Sequence, residues 1–270
     1  MKTRFVMVAL AGALLLSPLA SMAQTAEDSD KWSFSALPYF WLPDINGKLS
    51  FGPTGGGNAT LTVNPDSYLG ALDFAAMLSG AARKGRWVIG SDLMYLHFSD
   101  SESKVQNTGL VSGAGVFSAG ASVDIKGVVW TTVGGYAVVQ EPKANLDVLA
   151  GFRYLGLDVN SNLQLTAAVP GSGVLAPSVD LSKKENIWAG IVGARGRFNF
   201  GESDWFANGY VDVGGGSSTF TWQGVAGVGY AFKWGDVILD YRYLYYSQDN
   251  GKLIDNLSFG GLALGANFRF

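Results

Sequence analysis

The segment Leu257-Ser-Phe-Gly-Gly-Leu-Ala-Leu-Gly-Ala-Asn-Phe-Arg-Phe270 decides the fold, because apolar residues occupy every second position of its last nine. Successive side chains of a β-strand point to opposite faces, so this alternation predicts a strand with one apolar face and one polar or small face. The apolar row consists of Leu262, Leu264, Ala266, Phe268 and Phe270, and the other row of Gly261, Ala263, Gly265, Asn267 and Arg269.

Nine further segments show the same alternation, so we predict ten strands. Several reach ten residues or more, which is the length that a tilted strand needs to cross a membrane. Eight or twelve strands stay open, because residues 48–63 could form an additional hairpin and the weakest strands could merge. The ten strands are predicted at 32–42, 72–83, 86–99, 121–139, 145–159, 186–199, 205–215, 219–233, 236–247 and 257–270.

The connections between these strands alternate between two kinds. Short turns are expected at 84–85, 140–144, 200–204 and 233–235. The connections at 43–71, 100–120 and 160–185 are long, and those near 214–217 and 248–251 are shorter. Barrels of the bacterial outer membrane show this asymmetry, with short periplasmic turns and longer extracellular loops.

The polar rows of the strands indicate which face points inward. Alternation alone fits both a soluble sandwich and a membrane barrel. The polar rows here are poor in Lys and Glu and rich in Gly, Ala, Ser, Asn, Asp and Arg, which favours a narrow lumen. In 121–139 the rows are mixed, and we place the row of Asp124, Lys126, Trp130 and Tyr136 inward.

Aromatic residues cluster at two levels of the predicted strands, as in the girdles of membrane barrels. Trp32, Trp87, Trp205 and Trp234 lie at strand ends beside the short turns or the amino terminus. Tyr95, Trp188, Tyr243 and Tyr245 lie near the opposite ends. Trp87 to Tyr95 spans about 26 Å of strand, which a tilt reduces to roughly 20 Å.

The first 23 residues have the pattern of an export signal. Lys2 and Arg4 precede the apolar run Phe5 to Leu16, and Ser21-Met22-Ala23 offers a cleavage site before Gln24. We therefore predict a signal peptide at 1–23 and one barrel domain at 24–270. The run is too short to cross a bilayer as a helix.

Composition narrows the function classes further. The net charge is −3, and removal of the two basic residues of the signal makes it more negative. Such a charge does not suit nucleic-acid binding, which needs a clustered basic face. The absence of cysteine excludes disulfides, Cys-ligated metals and Cys nucleophiles. Only 15% of the residues are charged, against about 25% in typical soluble domains.

The predicted lumen row collects six arginines and five aspartates. We interpret them as a structural network that fills the lumen, because an unpaired buried charge is costly. The alternative is a constriction whose charged walls sort ions. The network consists of Asp73, Arg83, Asp92, Asp147, Arg153, Arg195, Arg197, Asp212, Asp240, Arg242 and Arg269.

His97 is the only histidine and the one candidate for acid–base catalysis. It shares a row with Trp87, Leu93 and Tyr95, which we place toward lipid, whereas a catalytic histidine should face the lumen. The chain has no Gly-x-Ser-x-Gly elbow and no His-x-Glu metal motif. We therefore expect no enzyme, no metal and no cofactor. The runs Gly55–Gly57 and Gly214–Gly216 lack the Lys-Ser/Thr of a phosphate loop.

Signal, girdles, turn asymmetry and the closing Phe270 together resemble the small porin-like and surface-antigen β-barrels of the bacterial outer membrane. The resemblance implies a closed antiparallel, up-and-down barrel, surrounded by outer-membrane lipids and inserted by the barrel-assembly machinery, which recognises a closing strand such as Phe268–Phe270. We expect a non-enzymatic barrel with a mostly filled lumen that serves envelope structure or surface interaction. Alternatives are a narrow channel for small or hydrophobic solutes and an omptin-like surface hydrolase, since omptins combine His with Asp near the outer rim. The sequence specifies no ligand.

Deletion of Phe270 should reduce assembly into the outer membrane, because the closing strand loses its terminal aromatic residue. The measurement is the amount of heat-modifiable protein in outer-membrane fractions. Heat-modifiable protein at the abundance of the unaltered chain would contradict the assembly role.

Overall fold

Strands make up almost all of the chain that the structure describes. A computed structural model describes residues 31–50, 58–63, 65–69, 72–100, 117–169, 173–175, 178–249 and 254–270. The predicted signal at 1–23 lies outside these residues. The strands are β1 (Trp32–Ser50), β2 (Asn58–Val63), β3 (Leu72–Lys84), β4 (Trp87–Asp100), β5 (Phe117–Gln140), β6 (Ala144–Val169), β7 (Gly173–Leu175), β8 (Ser178–Asn199), β9 (Trp205–Gly216), β10 (Thr219–Phe232), β11 (Gly235–Gln248) and β12 (Ile254–Arg269).

A single helical turn, α1 (Pro65–Tyr68), follows β2. Within the described residues, no helix is both long enough and apolar enough to cross a membrane.

Ten of the strands close into an antiparallel, up-and-down barrel, which confirms the predicted fold and strand number. The order around the barrel is β1-β3-β4-β5-β6-β8-β9-β10-β11-β12, and β12 pairs with β1. The two short strands lie outside this ring: β2 pairs with the outer part of β1, and β7 pairs with β6. The β1–β2 pair is the additional hairpin that the sequence left open at 48–63.

The first and last barrel strands form the closing seam. Their register runs from Ser35 opposite Arg269 to Leu49 opposite Ile254. Phe34 and Phe270 exchange two backbone hydrogen bonds of 3.1 and 2.9 Å at the end of this seam. The ten described barrel strands therefore leave no edge strand in the wall, as hydrocarbon requires of backbone polar groups.

Three neighbouring strands are much longer than a membrane crossing requires. β5, β6 and β8 contain 24, 26 and 22 residues, whereas about 9–11 residues cross the hydrocarbon. The pairing of β4 with β5 ends at Asp100 opposite Val123, while the pairing of β5 with β6 continues to Phe117 opposite Ala167. These strands therefore extend the barrel on the side of the long connections.

The outer face of the barrel is apolar. Val228, Leu239 and Leu262 are 45–59% exposed, and they belong to the rows predicted to face lipid. The opposite rows point inward and are buried, with Leu155, Phe206 and Leu244 at 0–1% exposure. This distribution is the reverse of a soluble sandwich and suits a barrel surrounded by hydrocarbon.

The prediction for β5 was wrong: the row with Trp130 and Tyr136 faces outward, and Thr131, Val133 and Ala137 are buried inside. Trp130 packs on the outer surface against Phe152, with ring centroids 5.1 Å apart. Asp124 and Lys126 follow the same parity, but they lie nearer the outer end of the strand, where the surroundings are no longer hydrocarbon. Their charge was therefore a misleading guide to the lumen.

Replacement of Val228 by Arg should destabilise the barrel by about 2–4 kcal/mol, because the side chain faces lipid on β10 between the two aromatic levels. The measurement is the unfolding free energy of the protein in lipid vesicles. Val228→Met is the matched control, since it lengthens the side chain without a charge. A Val228→Arg barrel as stable as the Met variant would place this residue away from lipid.

Candidate functional site

The lumen contains a buried ion pair at its centre. The Arg153 guanidinium donates to the Asp212 carboxylate, and both side chains are almost completely buried. Arg153 also donates to the hydroxyl oxygens of Thr131 and Thr221, each at 3.2 Å. Strands β5, β6, β9 and β10 supply these four residues, so one guanidinium ties together strands from two sides of the lumen.

A second ion pair crosses the lumen at the opposite wall. Arg242 Nη2 donates to Asp92 Oδ2 at 2.6 Å and to Gln223 Oε1 at 3.1 Å. The Tyr39 hydroxyl accepts from Arg242 Nη1 at 2.8 Å and donates to Asp92 Oδ1 at 2.9 Å. The Arg242 guanidinium also lies over the Trp41 ring, 5.3 Å from its centroid. Strands β1, β4, β10 and β11 meet in this layer.

A cluster of apolar side chains, here called the plug, fills the lumen next to the two ion pairs, toward the long connections. Its members come from β1, β3, β4, β6, β8, β11 and β12, and seven of them are exposed by no more than 4%. The plug consists of Trp41, Met77, Met94, Leu155, Ile187, Leu244, Tyr246, Leu257 and Ala263.

Two more carboxylates lie on the side of the short turns, and each contacts two arginines. Asp147 is fully buried and accepts from Arg83 Nη2 at 2.5 Å and Arg195 Nη2 at 2.9 Å. Asp236 is also fully buried and accepts from Arg269 at 2.5 Å and from Arg197 at 3.2 Å. The charge pattern therefore changes from one arginine per aspartate in the middle of the lumen to two at this end.

Between the two-arginine clusters and the plug lies a cavity of about 490 Å³, here called the vestibule. Ser33, Asp236 and Asn267 lie at its open end, beside the chain termini and the short turns, and Tyr39 and Arg242 lie at its inner end. Ser33 to Tyr39 is six residues of β1, or about 20 Å of strand. In barrels of this kind the short turns face the periplasm, so the vestibule opens on that side.

Nine of the eleven charged residues predicted for the lumen are brought together in these four ion-pair clusters. Asp240 lines the vestibule and accepts from Asn208 at 2.7 Å. Asp73 was assigned wrongly: a bulge between Leu72 and Phe74 shifts it out of the inner row. It is half exposed and contacts Ser99, away from the other ten.

Sequence reasoning missed Asp236 and Tyr39, although both hold arginines. Asp236 has the same strand parity as Asp240 and Arg242, so extending the inner row to the first residues of β11 would have found it. Tyr39 shares the inner row of β1 with Ser33 and Ser35, but it was not among the predicted lumen residues. The Tyr39 hydroxyl links Asp92 to Arg242 through one hydrogen bond with each of them.

His97 lies at the outer end of β4, between two carboxylates. Its Nε2 is 2.7 Å from Asp124 Oδ2, and its Nδ1 is 3.9 Å from Asp73 Oδ2. The hydrogen bond with His97 lowers the pKa of Asp124 below its ordinary value. Its strand neighbour Lys126 shares the outward face of β5, so this cluster lies on the outer wall and not in the lumen. Among the described residues, no group of His, Cys, Asp and Glu could hold a metal ion.

The aromatic residues predicted as girdles all lie on the outer face. At the short-turn level Trp87 contacts Tyr136, Trp205 contacts Tyr230, and Trp234 contacts Phe268, with ring centroids 5.0–5.2 Å apart. Trp32 stacks on Phe34 at the same level. At the other level Trp188 contacts Trp130 and Tyr154, Tyr95 contacts Phe74, Tyr243 contacts Trp222, and Tyr245 lies opposite Trp222.

The sequence matches no protein-family model and no curated protein. The fold is similar to that of the outer membrane protease OmpT from Escherichia coli, with a TM-score of 0.52, 11% identity and coverage of 92% of this chain and 99% of that one. Ail, the attachment invasion locus protein of Yersinia pestis, gives a TM-score of 0.35 at 13% identity, covering 89% of this chain and 99% of Ail. The P. putida toluene transporter TodX gives 0.32 at 12% identity, covering 89% and 90%.

At these identities the similarity to OmpT shows the fold and not an activity, and TM-scores of 0.35 and below carry no argument. The fold is that of the bacterial outer-membrane β-barrels. With an apolar outer face and aromatic residues at two levels of that face, the chain is a multi-pass protein of the bacterial outer membrane.

Replacement of Arg153 by Met should destabilise the barrel by about 3–5 kcal/mol, because the buried Asp212 then loses its ion-pair partner. The double variant Arg153→Met/Asp212→Leu should recover most of this loss, since it removes both charges. The measurement is denaturant unfolding in vesicles, followed by tryptophan fluorescence. Lys184→Met, which breaks an exposed pair with Asp158, is the control and should leave stability almost unchanged. Equal stability of the Arg153 and Lys184 variants would show that water reaches Asp212.

Proposed function

We propose that the protein is a non-enzymatic, non-conducting barrel of the outer membrane that serves envelope structure or surface interaction. The observation that carries this proposal is the plug. Trp41, Leu155, Leu244 and Tyr246 point into the lumen from β1, β6 and β11 and are 0–3% exposed. An ion or polar solute would have to displace well-packed apolar side chains from several strands to pass.

The charges of the lumen support the same conclusion. A filter that sorts ions presents charged groups to a water-filled path. Here Arg153, Asp212 and Arg242 are buried, and each is engaged by an opposite charge. Buried pairs of this kind join strands across the lumen and rigidify it, which is a structural role.

The outer extension of β5, β6 and β8 supports a role in surface contacts. These strands continue well beyond the length needed for the hydrocarbon, on the side of the long connections. In outer-membrane barrels that side faces the outside of the cell. A long outer wall on that side supports contacts that the protein makes outside the membrane.

The surroundings of His97 argue against the hydrolase alternative. A catalytic His usually activates a nucleophile that lies within hydrogen-bond reach. The hydroxyl of Ser99, two residues further along the strand, donates instead to Asp73 at 2.5 Å. His97 contacts carboxylates on the outer wall of the barrel. These contacts support a structural role in which His97 holds strands β4 and β5 together.

The purified protein in planar lipid bilayers should show no discrete conductance steps, because the plug interrupts the water path. Trp41→Ala/Tyr246→Ala is the matched variant that opens the path, since it removes the two largest aromatic side chains of the plug. This variant should give conductance steps, provided that it remains heat-modifiable. Steady, discrete steps from the unaltered protein would overturn the proposal of a non-conducting barrel and favour the narrow channel.

A further inference from the structure

The vestibule has arginine donors that the structural network does not use. A guanidinium carries five N–H donors. Among the described residues, Arg195 donates only to Asp147, and Arg269 donates only to Asp236. Their side chains are 36% and 49% exposed, and both line the vestibule. Arg83 also lines it, and its buried Nη1 has no hydrogen-bond partner in the described part of the chain.

These donors are held in place by their surroundings. Asp147 and Asp236 are fully buried, so each fixes the inner side of two guanidinium groups. Arg197 also stacks on the buried Phe206, with its guanidinium carbon 3.4 Å from the ring centroid. Donors that are fixed before a ligand arrives lose little conformational entropy on binding.

The remaining walls determine what kind of anion the vestibule accepts. Leu37, Val88, Leu149 and Ile238 line it together with the arginines. Its volume of about 490 Å³ lies within the range of small-molecule sites, about 300–1,000 Å³. Guanidinium groups recognise carboxylates and phosphates through paired N–H donors. The geometry therefore combines a cationic end with an apolar wall.

We propose that the vestibule is a binding site for a small organic anion, a carboxylate or phosphate monoester with an apolar body, which enters from the side of the short turns. Arg195 and Arg269 hold the anionic group with their unused donors, and the aliphatic wall covers the apolar body. The site lies below the plug and is occupied from the periplasm, so it does not depend on whether the lumen conducts.

The test uses ¹⁹F NMR of 4-fluorobenzoate and 4-fluorophenyl phosphate with the full barrel in zwitterionic lipid nanodiscs. At least one of these anions should bind with a millimolar or lower Kd, seen as a saturable change in shift or line width. The neutral isostere 4-fluorobenzamide should show no saturable binding, and empty nanodiscs correct for partition into lipid. Absence of saturable binding of both anions to the folded barrel, or equal binding of the amide, would overturn the proposal.

Two single variants test the assigned donors. Arg195→Met leaves Asp147 paired with Arg83, and Arg269→Met leaves Asp236 paired with Arg197, so neither creates an unpaired buried carboxylate. Each should raise the Kd of the bound anion about tenfold or more, because a charge-assisted hydrogen bond is lost. Lys233→Gln removes the same charge from an exposed position outside the vestibule and should change the Kd less than twofold. Equal effects of all three variants would mean that overall charge, and not this site, attracts the anion.

A second measurement reports the local potential without a ligand, and the absence of native cysteine makes it possible. Ser35→Cys places a thiol on the vestibule wall, and Ser203→Cys places one on an exposed turn. The ratio of modification rates by anionic and cationic methanethiosulfonates should be severalfold higher at position 35, since fixed guanidinium groups concentrate anions in a recessed site. Equal ratios at the two positions would overturn the proposal.

Discussion

Closure of the barrel is the constraint on which the rest of the structure depends. In hydrocarbon each backbone N–H and C=O must find a partner within the protein, so the wall cannot end in an edge strand. The pairing of β1 with β12 meets this requirement, and the Phe34–Phe270 backbone bonds complete it at the short-turn end. Closure also forces alternate side chains into a narrow interior, where polar groups have little water to solvate them.

The interior resolves this problem in three different ways along its length. Toward the long connections, apolar side chains such as Leu155 and Leu244 fill the space. In the middle, arginines and aspartates pair one to one, and the Arg153–Asp212 pair is almost completely buried. Toward the short turns, each aspartate supports two arginines, and the vestibule is open. The order of these layers, from apolar side chains through paired charges to an open cavity, gives the two ends of the barrel different chemical character.

The sequence predicted the strand number and most facing directions, because period-two alternation survives in membrane strands with inverted polarity. It failed at β5, where Asp124 and Lys126 lie beyond the hydrocarbon and their charge no longer indicates the lumen side. It failed at Asp73, because a bulge that alternation does not reveal changes the parity of β3. The ion pairs inside the lumen could not be predicted from the sequence, since partners such as Arg242 and Asp92 lie on strands that meet only when the barrel closes.

The separation of these contacts along the chain has a kinetic consequence. The bond between Arg242 and Tyr39 joins residues 203 positions apart, and the one between Trp41 and Gly261 joins residues 220 positions apart. Contacts between residues so far apart in the sequence form slowly, because the long loop between them must close before the contacts contribute any stability. The seam and the interior layers beside it therefore depend on the same late event. Until β12 meets β1, Arg242 lacks its Tyr39 contact and Trp41 lacks its bond to β12, so a half-formed barrel has an unfinished interior as well as an open edge.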